Sequence, residues 1–306
     1  MAGKRQLDVL SFGQRMMSDE VCILMKYGLV MEGGAMRGMF TAGIIDVFLE
    51  NDIKFDGAIG VSAGAVFGCN LKSRQIGRSI RYNKKYCRDR RYVSFINWMR
   101  EGELYPPQFC YEELPNKLDK FDVESYKNNP MDFYVVSTDV ATGKPTYTLC
   151  NNGDADDIQW FRASASMPVF SKPVNIGEGL YSDGGTSDSV PLKYLEKMGY
   201  NRILVILTQP KDYRKKPYKG MAIISKLLAK YPMLIKAMKN RHIMYNDTMD
   251  YIDKREKDDD VYVIRPSEQL KVKPAEKNPD ELERVYQLGR KAGYDNLDKI
   301  KEWLSK

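Results

Sequence analysis

The chain has 306 residues, 43% of them hydrophobic and 29% charged, which suits one large globular domain or two and excludes general disorder. Its formal net charge of +7 is unevenly placed: residues 1–210 hold 25 basic and 25 acidic side chains, whereas residues 211–306 hold 23 and 16. A single histidine, His242, excludes multi-histidine metal catalysis. Five cysteines with no C-x-x-C pair indicate neither a zinc site nor a disulfide framework, so no metal or cofactor is implied and a reducing cytoplasm is the simplest setting.

No run approaches 18 apolar residues, so no membrane-spanning helix is expected, and the mixed charges of residues 1–20 do not make a secretory signal. Residues 1–25 carry no clean period and read as an N-terminal extension. From residue 26 strand and helix signals alternate. Tyr27–Met31 is a short apolar run before a glycine turn, Met39–Glu50 reads as a helix, Phe55–Val61 as a strand and Ala63–Leu71 as a helix. Asp132–Thr138 and Pro145–Leu149 form a predicted hairpin across Ala141-Thr142-Gly143. Then follow a helix over 155–163, a strand at Gly179–Ser182, a helix at Leu192–Met198 and an apolar strand at Arg202–Thr208. This alternation predicts an α/β fold: a mostly parallel sheet with helices on both faces. Past Gln209-Pro210 the composition turns Lys-rich and helical, with a strand at Val261–Ile264 and a helix from Pro279. We therefore expect a core over 26–210 and a basic, mainly helical C-terminal region over 211–306.

Three motifs carry chemistry. Gly60-Val61-Ser62-Ala63-Gly64 is a G-x-S-x-G between a predicted strand and a predicted helix, where Gly60 and Gly64 permit a turn that lifts the Ser62 hydroxyl clear of the sheet. Ser62 is the candidate nucleophile. Glu32-Gly33-Gly34-Ala35-Met36-Arg37-Gly38 follows the first strand; small residues there let amides turn inward on an anion. A dinucleotide loop is disfavoured because Ala35 breaks the G-x-G-x-x-G spacing, and no G-K-[ST] follows. Paired with a serine elbow, this loop is a candidate oxyanion hole. Ser182-Asp183-Gly184-Gly185 is ordinary turn material, yet an elbow serine needs a base, and with one histidine in the chain a carboxylate such as Asp183 is a contender.

Together these motifs, with Ala163-Ser164-Ala165-Ser166-Met167-Pro168-Val169-Phe170 before the aspartate, resemble the patatin-like phospholipase family over about residues 27–210. The resemblance implies a three-layer α/β/α core, a lipid or acyl-ester substrate, and a Ser62–Asp183 dyad without a catalytic histidine. It also implies an oxyanion hole from the amides of Gly33, Gly34 and Ala35, with Arg37 nearby and Gly38, Gly184 and Gly185 shaping the motifs. Ala35 stands where the family usually has a third glycine. Two alternatives are an α/β-hydrolase with a Ser62–Asp183–His242 triad, and a non-catalytic phosphate- or lipid-binding module on the same scaffold.

Two basic segments remain. Residues 72–91 hold nine Lys/Arg against Asp89, and residues 211–241 hold ten against Asp212. In the second, Ile224, Leu227, Leu228, Tyr231, Leu234, Ile235 and Met238 recur at helical spacing with Lys226, Lys230 and Lys236 off the stripe, predicting an amphipathic helix bent at Pro232. Such a helix either docks on the core with a solvated face or contacts an anionic membrane. Nucleic acid is not expected as a partner, since no binding motif accompanies the charge.

Overall fold

The computed structural model describes residues 25–305, so the predicted extension over residues 1–25 lies almost wholly outside the described residues, as does Cys22. The remaining four cysteines are free thiols. Eight strands form one mixed sheet: β1 Tyr27–Met31, β2 Gly57–Val61, β3 Asp132–Asp139, β4 Pro145–Leu149, β5 Val174–Ile176, β6 Gly179–Asp183, β7 Arg202–Ile206 and β8 Val261–Ile264. Their order is β5-β6-β3-β2-β1-β7-β8, with β4 also pairing β3. The block from β3 to β8 is parallel, and β4, β5 and β6 are antiparallel additions at one side.

The central strands are apolar on both faces, as strands covered twice must be. Leu29, Met31, Phe133, Val135, Leu204 and Ile206 enter one core, and Val30, Ile59, Val61, Val136, Ile203 and Val205 enter the other. The first core is covered by α1 (Gly38–Glu50), α2 (Ala63–Lys72), α3 (Arg78–Tyr86) and α6 (Ala155–Ala165), with the short helices α4 (Phe95–Glu101) and α5 (Val123–Asn128) at its margin. A π-helical segment, Gln108–Leu118, joins α4 to α5. The opposite core is covered by α7 (Leu192–Lys197) and by α9 (Pro232–Arg255), which follows the short α8 (Met221–Leu227). The fold is thus the expected three-layer α/β/α arrangement with a mostly parallel sheet.

The residues past 210 are part of the same body. β8 extends the sheet beside β7, and α10 (Pro279–Ser305) crosses α1 in backbone contact. A Cβ on Gly289 would collide with the carbonyl of Phe40, and one on Gly43 with the carbonyl of Tyr286. Tyr286 also donates to the buried carboxylate of Asp46 at 2.6 Å, and Arg290 forks onto Glu50 at 2.8 and 2.9 Å.

The structure corrects one expected element. Residues 221–241 are not one bent helix: the chain leaves α8 at Leu228, and Pro232 occupies the first turn of α9. Proline lacks an amide hydrogen and fits a first turn, where that donor has no helical partner. Leu228, Leu234 and Met238 of the stripe are buried against Val140, while Leu227 is 64% exposed, so most of the stripe docks on the body. Lys226, Lys230 and Lys236 face solvent. Among the described residues no helix is long and apolar enough to cross a membrane.

Candidate active site

The register of β3 brings the two candidate catalytic residues together. Val136 pairs with Val61 at the end of β2, and the next residue, Ser137, pairs with Asp183 at the end of β6. Because β4 overlaps both pairings along Tyr134–Thr138, it holds one edge of β3, and β2 and β6 share the other. They run toward each other and end side by side, which sets Ser62 beside Asp183. The Ser62 Oγ donates to Asp183 Oδ2 at 2.7 Å, with both residues buried.

Ser62 caps α2 with φ 55° and ψ −121°, a conformation unusual for a residue with a side chain. Such strain costs on the order of 1–3 kcal/mol and persists only where surrounding contacts impose it. Those contacts are visible. A Cβ on Gly60 would lie 2.5 Å from the carbonyl of Gly64, so the turn closes only with glycine at that place. The amide of Ser62 donates to Ser164 Oγ at 2.8 Å. Ser166, two residues on, accepts at its carbonyl from the Asp183 amide (2.9 Å) and the Ser182 hydroxyl (2.8 Å). One stretch of chain therefore tethers both members of the pair.

Asp183 Oδ1 accepts from the Gly185 amide at 2.8 Å. Burial raises the pKa of this carboxyl above the usual carboxylate range, opposed by the Arg241 charge and the hydrogen bonds from Ser62 and Gly185. The consequence is a stronger base than a solvated aspartate.

The glycine loop lies against the serine: a Cβ on Gly33 would be 2.8 Å from that of Ser62. Among the described residues nothing accepts from the amides of Gly33, Gly34 or Ala35. Ala35 sits at φ 49°, so the departure from the family's third glycine falls on a left-handed position. Glu32 anchors the loop. Its buried carboxylate accepts from the Thr208 amide at 2.6 Å and from the Tyr245 hydroxyl at 2.9 Å.

Two cavities meet at Ser62, and Ala35 and Met167 line both as well. One is a narrow, mostly apolar slot of about 90 Å³ walled by Met36, Val66, Phe67, Tyr92 and Leu114, with the Glu103–Arg162 pair at 3.8 Å as its charged part. The other is a chamber of about 750 Å³ reached by Asp183, Arg37, Lys215 and Arg241, with apolar Phe95, Phe170, Ile224 and Met238 on its walls. A large, largely apolar cavity holding a few convergent polar groups suits a small-molecule or lipid ligand.

A model of the patatin-like phospholipase family matches residues 29–196, more than half of the chain. The chain belongs to the patatin-like phospholipase family. Residues 231–305 separately match the model described as a domain of unknown function (DUF6363). The uncharacterized protein YjjU of Escherichia coli (strain K12) is 28% identical over 280 residues, which span 88% of this chain and 76% of that protein. The crystal structure of VipD from Legionella pneumophila aligns with a TM-score of 0.45 at 14% identity, over 90% of this chain and 67% of that one. By the match over residues 29–196, the chain is a member of a family of lipid acyl hydrolases.

In this patatin-like site the residues singled out from sequence divide clearly. Ser62, Asp183, Gly33, Gly34, Ala35 and Arg37 converge. His242, on α9, lines neither cavity, and the direct Ser62–Asp183 bond leaves no place for an imidazole between them. The basic run over 72–91 is largely spent within the fold: Lys72 is buried and donates to the carbonyls of Asn129 and Met131, Arg78 and Arg81 engage Asp119, and Lys84 engages Glu283. Sequence reasoning missed Ser164, Tyr245, Lys215 and Arg241. Ser164 lay inside a stretch already noticed; the other three carried no local signal beyond charge or aromaticity.

Proposed function

We propose that the protein is a serine lipid acyl hydrolase that works through Ser62 and Asp183. The observation that carries this reading is the 2.7 Å hydrogen bond from a buried, strained serine to a buried carboxylate at the junction of two cavities. Asp183 Oδ2 takes the proton as Ser62 Oγ attacks the ester carbonyl, and the amides of Gly33, Gly34 and Ala35 receive the developing oxyanion. Collapse expels the alcohol, which leaves with the proton from Asp183, and an acyl-enzyme remains on Ser62. Asp183 then deprotonates water for attack on the acyl-enzyme, and the second tetrahedral intermediate releases the fatty acid and restores the serine.

The narrow slot supports an acyl chain on one side of Ser62, and the chamber supports the alcohol part on the other. Exposed Lys226, Lys230 and Lys236, beside the exposed Ile223 and Leu227, support peripheral contact with an anionic membrane as the route to lipid. The test of the catalytic reading is labelling by a fluorophosphonate probe together with esterase activity on p-nitrophenyl butyrate. Labelling of wild type, and its loss with at least a 10³-fold fall in kcat in a folded Ser62→Ala variant, is expected. An unlabelled wild type would leave the non-catalytic lipid-binding reading in its place.

A further inference from the structure

The chamber beside Ser62 is electrically unbalanced. Its acidic lining consists of Glu32 and Asp183, against Arg37, Lys215, Arg241 and Lys273. Both carboxylates are already engaged, Glu32 by Thr208 and Tyr245, Asp183 by Ser62 and Gly185. The cations outnumber the carboxylates, and Arg241 and Lys215 act on Asp183 only at longer range than an ion pair. Arg241 donates from Nε to the Gly185 carbonyl and from Nη1 to the Tyr218 hydroxyl, so neither contact carries a negative charge. Arg37 keeps a buried Nε without a hydrogen-bond partner. Lys215 has its backbone fixed on both sides by Asn246, at 2.8 and 3.1 Å, and its ammonium stands over the Tyr245 ring at 4.2 Å. Among the described residues no carboxylate forms an ion pair with Arg37, Lys215 or Arg241. Burial first, and then the neighbouring Arg241 charge, push the Lys215 pKa down to about 7, against the weaker pull of the Glu32 and Asp183 carboxylates.

We infer that Arg37, Lys215 and Arg241 form a phosphate-binding subsite, so that the preferred substrate is an acyl ester whose alcohol is a phosphorylated glycerol of net negative charge. The inference rests on the reading of Ser62 as nucleophile. A bound phosphate would supply the negative charge that the chamber lacks, and its oxygens would accept from guanidinium and ammonium donors, as such groups are commonly paired. A choline head would gain nothing here, since both carboxylates are occupied. The slot on the far side of Ser62 takes the acyl chain, which leaves the ester carbon at the serine and the phosphate among the cations. Two of the three cations come from beyond residue 210, which gives the C-terminal region a part in substrate choice.

The experiment compares kcat/KM on 1-octanoylglycerol 3-phosphate, 1-octanoylglycerol and 1-octanoylglycerophosphocholine, using the full chain. Wild type is expected to prefer the anionic ester over either other substrate by at least tenfold. Lys215→Gln should reduce that preference about tenfold, the order expected for one lost charge-assisted hydrogen bond, and Lys215→Arg should keep most of it. A wild type without preference, or a Lys215→Gln variant that lowers all three substrates alike, overturns the subsite. Calorimetric titration of Ser62→Ala protein separates this from failure of the catalytic reading. Tighter binding of dihexanoyl phosphatidate than of dihexanoylglycerol supports the subsite even if the serine proves unreactive. Equal binding of the two overturns it, and glycerol 3-phosphate binding as tightly as the lipid overturns the acylated form in favour of a soluble phosphate ester.

Discussion

Tyr245, near the middle of α9, donates its hydroxyl to Glu32 Oε1 at 2.9 Å, and Glu32 begins the glycine loop that faces Ser62. A residue of the C-terminal region thus helps set the shape of the candidate oxyanion hole, more than 200 positions upstream. The other oxygen of Glu32 is taken by the Thr208 amide, two residues past β7, so the carboxylate stitches three parts of the chain together.

Removing the tyrosine hydroxyl should show this coupling. Tyr245→Phe leaves a buried carboxylate oxygen short of one partner, which costs about 1–3 kcal/mol. Urea unfolding should report that loss, and kcat on p-nitrophenyl butyrate should fall with it because the loop amides lose their anchor. A variant with wild-type stability and unchanged kcat would show that Glu32 does not depend on Tyr245.

The acidity of Asp183 makes a prediction about pH. A base must be ionised, and burial holds this carboxyl above the usual range, so protonation persists to higher pH than for a solvated aspartate. Esterase kcat/KM should therefore rise with pH through that raised value and level off above it. The opposing charges come from Arg241 and, more weakly, Lys215. Arg241→Gln removes the larger one and should move the acid limb to still higher pH. Asp183→Asn should cost 10²–10⁴-fold, the usual contribution of a general base, whereas His242→Asn should change kcat by less than about tenfold. An inactive His242→Asn variant would return the triad to contention.

Ala35 offers a test of local strain. At φ 49° an alanine costs roughly 1–2 kcal/mol that glycine avoids, and glycine in turn costs about 0.5–1 kcal/mol through the freedom of the unfolded chain. Ala35→Gly should therefore lie between neutral and about 1.5 kcal/mol more stable, with the esterase retained. A destabilised and inactive glycine variant would mean that the methyl group, which lines both cavities, positions substrate.

The α1–α10 crossing predicts a large effect far from the site. Gly289→Val would drive a branched side chain into the Phe40 carbonyl, a rigid neighbour rather than a flexible one. Overpacking of this kind costs typically 1–3 kcal/mol and more when backbone must move. Thermal unfolding should show the loss, together with easier proteolysis of α10; a variant as stable as wild type would show that α10 can shift without cost.

The sequence by itself was enough for the features that depend on near neighbours. Short apolar runs located β1, β2, β7 and β8, because burial on both faces of a sheet demands them, and the turn at Ala141-Thr142-Gly143 located the β3–β4 hairpin; β6, α1, α2, α6, α7 and α10 were also legible. G-x-S-x-G between a strand and a helix located Ser62, since a tight turn restricts side chains two positions either side of it. Asp183 was visible as a carboxylate in a flexible turn, but nothing local pointed it at Ser62. That contact depends on β3 pairing Val136 with Val61 and Ser137 with Asp183, a matter of sheet register. The strand β5 and the helices over 78–128 were illegible because β5, α4 and α5 span only three to seven residues, too short to show a period, while α3 is interrupted by Arg78, Arg81, Lys84 and Lys85 and the π-helical segment carries Pro115. Charge itself was the least informative signal. The runs over 72–91 and 211–241 look alike in sequence, yet Lys72 and Arg78 are consumed inside the fold, Lys226, Lys230 and Lys236 meet solvent, and Lys215 and Arg241 enter the chamber. Only tertiary packing decides among those fates, because a cation's surroundings are set by which distant elements, here β6 and α9, come to lie against it.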